Sequence, residues 1–120
     1  MKNIKYNEIL EYNLKYQNNN NDKDFNISII SNLIVNQLGE ILEYYLRKQN
    51  IPAKIEFSNY DNIVQESIKL KNDNNIVIIF WELSNLIDGL YYKIENLSDD
   101  EYDEIKDKTL SEIATVFENL

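Results

Sequence analysis

The chain has 120 residues, a formal net charge of -9, and neither cysteine nor histidine. That length suits one domain with one modest core, and the charge repels phosphate backbones and anionic lipid heads, so nucleic acid is not an expected partner. Without Cys and His, disulfides, thiolate chemistry, ordinary zinc sites and a complete Ser-His-Asp triad are excluded.

The N-terminal stretch MKNIKYNEILEYNLKYQ lacks the continuous apolar region of a signal peptide, and no apolar run reaches membrane-spanning length. A cytoplasmic protein without membrane association is the expectation. Over residues 3–16, Tyr6, Ile9, Leu10 and Leu14 recur at helical spacing, and QNNNNDKD at 17–24 then interrupts all periodicity. Residues 1–24 therefore read as a leading helix and an Asn-rich solvated connector. Asp22 and Asp24 in that connector lack the glycine and distal Glu of a calcium loop.

FNISII at 25–30 reads as a strand ending at Ser31-Asn32. Leu38, Ile41, Leu42, Tyr45 and Leu46 then form a helical stripe, which must end near Gln49-Asn50 because Pro52 disfavours helical geometry at Ile51. AKIEF at 53–57 is a second strand. Tyr60, Ile63, Val64, Ser67 and Ile68 give a short helix, and KNDNN at 71–75 gives a turn. IVIIFW, from Ile76 to Trp81, is a third strand whose unbroken apolar run predicts cover on both faces. Ser98 and Glu101 form a capping-box pattern with Asp99 and Asp100 in the first turn, and Leu110, Ile113, Ala114, Phe117 and Leu120 mark a last helix. Of the tyrosine pairs Tyr44-Tyr45 and Tyr91-Tyr92, one member each is expected to pack and the other to face solvent.

The order α-β-α-β-α-β-α predicts an α/β fold: a three-layer, flavodoxin-like parallel sheet of three strands in the order 2-1-3, flanked by helices and built from right-handed crossovers. A final crossover helix ordinarily leads to a fourth strand. The expectation is therefore either a minimal three-strand domain or a domain of a longer chain.

Open sheets of this kind bind ligands outside the carboxyl ends of the strands, where strand order reverses. Ser31 and Asn32 follow the first strand, and Trp81, Glu82, Ser84 and Asn85 follow the third. These polar residues either terminate their elements as caps and turns or line a crevice. Glu82, a carboxylate at the end of an apolar strand, requires a partner, a raised pKa or access to water. The only glycines, Gly39 and Gly89, cannot build a phosphate-cradling loop, and neither a metal nor a cofactor is expected within this segment.

The stretches "ISIISNLIVNQLGEILEYYLRKQNIPAKIEFSNYDNIVQES" and "IIFWELSNLIDGL" resemble the N-terminal, SGNH-hydrolase-like domain of FkbH-like proteins, over essentially residues 3–120. The resemblance implies a single SGNH-like domain spanning 1–120 within a longer protein. It would precede a haloacid-dehalogenase-type domain whose Asp-rich phosphoryl-transfer motif is not in this sequence. Such proteins load a glyceryl unit from a phosphorylated three-carbon metabolite onto a carrier protein, or perform related steps in polyketide and surface-glycan pathways. The implied partners are that C-terminal domain of the same protein or an acyl carrier protein.

Against the wider SGNH pattern, Ser31 falls near the nucleophile but follows Ile29 and Ile30 rather than Gly-Asp. Asn85 falls near the oxyanion-hole amide without its glycine, and the late Asp-x-x-His is absent. The expectation is a domain that is not catalytic alone, with Asn32, Glu82, Ser84 and Asn85 binding substrate or carrier. One alternative is a serine esterase or acyltransferase in which Ser31 is activated by a base from outside the segment. Another is an acidic protein-interaction module.

Overall fold

A computed structural model of the protein describes residues 4–19, 25–70, 76–87 and 89–120. The turn expected at 71–75, Asp22, Asp24 and most of the Asn-rich connector lie outside the described residues, as does Asp88. The elements are α1 (Tyr6–Asn19), β1 (Phe25–Ser31), α2 (Asn36–Lys48), β2 (Ala53–Phe57), α3 (Ile63–Lys69), β3 (Ile76–Phe80), α4 (Leu83–Leu86), α5 (Leu90–Lys93) and α6 (Asp99–Asn119), with a 3-10 turn at Ile94–Asn96. The protein is α/β, with helices alternating with the strands of a three-stranded parallel sheet in the order β2-β1-β3. β1 and β2 run in register from Phe25 opposite Ala53 to Ile29 opposite Phe57. β1 is buried from Ile27 through Ser31, as a central strand must be. β3 is an edge, and its continuous apolar run is only half-buried.

The chain divides into two compact units. The first holds α1, most of β1, α2, β2 and the start of β3. In it α2 packs on α1 and on β2, and Gly39 permits the close approach, since a Cβ there would lie 2.6 Å from the Phe57 ring. The buried face of α2 is not the apolar stripe. Gly39, Glu43, Tyr44 and Arg47 are buried, whereas Tyr45 is exposed. Tyr44 meets Tyr12 edge to face at 5.0 Å.

This polar face is explained by the strand beneath it. Pro52 O accepts from Phe25 N, so the alternate residues Ala53 and Ile55 turn their backbone groups to the open edge of β2. Glu43 accepts from Ile55 N at 2.8 Å, and Arg47 donates to Ala53 O at 3.0 Å. The two side chains pair at 3.0 Å. Arg47 also donates to Asn13 Oδ1, and Asn13 Nδ2 donates to both the backbone and the carboxylate of Glu40, which ties α1 to α2. The Tyr16 ring lies 4.7 Å from the Arg47 guanidinium carbon. Burying these charges is costly, and it is offset because nearly every polar atom is matched.

α2 closes with a Schellman motif. Ile51 N donates to Leu46 O and Asn50 N to Arg47 O, with Asn50 in the left-handed region at φ 60.

The second unit holds Ile30–Ile34, Ser58–Asn72 and Ile79–Leu120. α3 packs on α6, with Ile63 and Val116 buried, and Asn119 donates to Ser67 Oγ at 3.0 Å. α6 starts at a complete capping box in which Ser98 Oγ accepts from Glu101 N and Ser98 N donates to the Glu101 carboxylate. That bond to the Ser98 backbone holds the Glu101 carboxyl below its usual range. Tyr91 and Tyr92 are both exposed, so neither member of this pair packs. Glu66, on α3, is buried and accepts from Lys69 at 2.6 Å and from Asn59 at 3.0 Å, which lowers its pKa.

Replacing Arg47 by Met removes the buried guanidinium that pairs with Glu43 and that bonds Asn13 and Ala53 O. Urea unfolding should show a loss of about 3–5 kcal/mol, against less than about 1 kcal/mol for Lys54→Met, which removes an exposed ion pair with Glu56. Equal small losses would remove the network from its structural role. Because the folded pKa of Glu66 lies below its ordinary value of 4.5, its contribution is full above that pH and falls away as acid takes the pH through the folded value. Glu66→Gln should therefore flatten the acid limb of the stability profile from about pH 4.5 downward.

Candidate functional site

The carboxyl ends of the strands in the second unit bring together Ser31, Asn32, Asp61 and the stretch after β3. Asn32 is 1% exposed and bonded at every polar group. Its backbone N donates to Phe80 O, continuing the sheet by one residue. Its side chain then does what the next peptide would have done: Nδ2 donates to Glu82 O at 2.9 Å, and Oδ1 accepts from Glu82 N at 2.8 Å. Asn85 Nδ2 donates to Asn32 O at 3.0 Å. Residues fifty positions apart are thus locked by an amide acting as a surrogate peptide.

Ser31 is buried, and its hydroxyl is engaged in the turn that follows β1. Oγ accepts from Leu33 N at 2.8 Å and donates to Leu33 O at 3.0 Å. Its carbonyl accepts from Asp61 N at 3.1 Å, and Asp61 sits in the left-handed region at φ 58, a conformation that Asp tolerates better than most residues. Glu82 joins this arrangement through its backbone, and its side chain is partly exposed. Ser84 lies in α4, partly buried, and Asn85 is exposed apart from its bond to Asn32. Asn32, Glu82 and Asn85 are therefore joined in one hydrogen-bonded cluster, whereas Ser31 adjoins it along the chain and is bonded instead to Leu33 and Asp61.

Beside this cluster opens a cleft of about 390 Å³, lined by Asp61, Ile63, Gln65, Trp81, Leu86 and Glu112. Trp81, the only tryptophan, supplies an aromatic wall, and Asp61 and Glu112 supply carboxylates. No Lys or Arg is among the described residues lining it. Two carboxylates and an aromatic surface suit donor-rich groups: hydroxyls, amides or an ammonium rather than a phosphate.

Asp61, Gln65 and Glu112 carry no motif in the sequence. The Asn-Tyr-Asp-Asn stretch after β2 marks Asp61 as a turn residue at a strand's carboxyl end, whereas Glu112 belongs to a distant helix with no local sign of the cleft. Among the described residues no helix is long and apolar enough to cross a membrane, and no cluster of His, Cys, Asp or Glu is arranged to hold a metal.

Compared with protein-family models, curated proteins and solved structures, the chain finds no match. What stands is a small α/β protein with a three-stranded parallel sheet.

Asn32→Ala removes a donor and an acceptor together and leaves the Glu82 backbone groups unpaired. A stability loss of about 1–3 kcal/mol is expected, with Ser31→Ala costing about 1 kcal/mol because only a local turn is affected. Urea titration of the two variants distinguishes them, and a larger loss for Ser31→Ala would contradict the assignment of Asn32 as the lock.

Proposed function

We propose that this chain is a substrate- or carrier-binding domain of the SGNH-like, FkbH-like kind. It supports glyceryl or phosphoryl transfer in polyketide or surface-glycan biosynthesis in the cytoplasm, with the phosphoryl chemistry residing in a haloacid-dehalogenase-type domain of the same protein, and with that domain or an acyl carrier protein as its partner. The observation that carries the proposal is the Asn32–Glu82 lock. It joins the Ser31-Asn32 and Trp81-Glu82 segments, the ones that resemble that family, at the strand ends beside the Trp81 cleft.

Binding is favoured over nucleophilic catalysis because the Ser31 hydroxyl both donates and accepts within its own turn, and the chain has no histidine to activate it. Within the cleft, Asp61 and Glu112 disfavour a phosphate and favour the neutral hydroxyl- and amide-bearing part of a ligand, such as a glyceryl group or the pantetheine arm of a carrier. The phosphate of a three-carbon donor would then be handled elsewhere.

Trp81 emission provides a direct readout, since no other tryptophan contributes. Titration with the glyceryl thioester of N-acetylcysteamine, or with pantetheine, is expected to change the emission saturably. The midpoint should rise at least tenfold in the Asp61→Asn, Glu112→Gln variant, and inorganic phosphate should have no effect. No saturable change with either neutral probe, or an equal response to phosphate, would overturn the proposal.

A further inference from the structure

We infer that a second feature of the same unit, an apolar groove along α6, docks an amphipathic helix of a partner protein whose flanks carry Lys and Arg. Leu83, Ile87 and Ile94 form one wall, and Tyr102, Leu110 and Ile113 form the other, around about 320 Å³. Leu83, Ile94, Tyr102 and Leu110 are each half or more exposed. From Tyr102 to Ile113 the α6 wall is about 16 Å long, the span of roughly three turns of a second helix. An exposed, largely apolar surface of this form, with Thr109 and Lys106 also in its lining, is of the kind that makes protein contacts, and the length of its α6 wall suits the helix-in-groove mode.

Charge identifies the occupant. Residues 76–120 hold eleven acids and three bases, a net of -8, whereas residues 1–75 hold ten acids and nine bases, so almost the whole charge of -9 lies in the segment that builds the groove. By helical spacing Asp99, Asp103 and Asp107 run along one flank of the apolar face of α6, and Glu101 and Glu112 along the other. Lys106, at the groove itself, is engaged by Asp103. A second copy of the chain would bring the same negative segment and be repelled, as would anionic lipid or nucleic acid. An apolar helix face with cationic flanks satisfies both the groove and its rim.

The test uses the full chain and two labelled 18-residue peptides with the same Leu face, one flanked by Lys and one by Glu, followed by fluorescence anisotropy. The Lys peptide is expected to bind saturably and at least tenfold more tightly than its Glu twin, and to weaken several-fold between 50 and 300 mM NaCl. Leu110→Asp, at an exposed position, should reduce binding at least tenfold with unchanged circular dichroism. Asp107→Lys, which leaves the apolar wall intact, should weaken the Lys peptide and strengthen the Glu twin. Equal binding of the two peptides, or insensitivity of the Lys peptide to Leu110→Asp, overturns the proposal, as does self-association of the chain through this face in sedimentation.

Discussion

Backbone groups left without a neighbouring strand govern this structure, and buried side chains take the place of the absent strand. A three-stranded sheet has two edges and three sets of carboxyl-terminal loops, and each unpaired backbone group removed from water carries a penalty comparable to a lost hydrogen bond. In the first unit, Glu43 and Arg47 serve Ile55 N and Ala53 O on the edge of β2. In the second, the Asn32 amide serves both backbone groups of Glu82. Among the described residues, buried polar and charged side chains are as numerous as buried apolar ones. In so small a protein, therefore, matched polar contacts share with apolar burial the work of defining the fold.

The same constraint links fold to site. Because Asn32 fixes Glu82 through the backbone, the adjoining Trp81 is held at the mouth of the cleft, and the turn at Ser31 is held to Asp61 through the Ser31 carbonyl. In the proposed binding role, a surface assembled on strand ends in this way would lose little freedom on taking up a ligand. The carboxylates of Asp61 and Glu112 in the cleft and the acidic residues of α6 would, in the same proposed role, disfavour phosphate and anionic surfaces.

Much of the fold was legible in the sequence. Strand positions, the 2-1-3 order and the capping box at Ser98 follow from local patterns: alternating elements, turn residues and a serine three positions before a glutamate. The apolar stripe of α2 was misleading, because periodicity counts Leu38 and Tyr45 but cannot see that Glu43 and Arg47 pair with each other and with β2. The apolar run of β3 suggested cover on both faces, yet an edge position leaves Ile76 about half exposed. α4 and α5, at four residues each, are too short to show a period. Of the site, Asn32 and Glu82 were legible as strand-end polar residues, whereas their reciprocal bonding and the approach of Glu112 depend on tertiary structure.

Native-state amide hydrogen exchange at Ile55 and Glu82 tests the central claim most directly, since both N–H groups are bonded to side chains rather than to a strand. Both amides are predicted to exchange slowly, with protection comparable to that of the amides within β1. Exchange of either at the rate of an open loop amide would contradict the account, because the side chain assigned to it would then not be standing in for a strand.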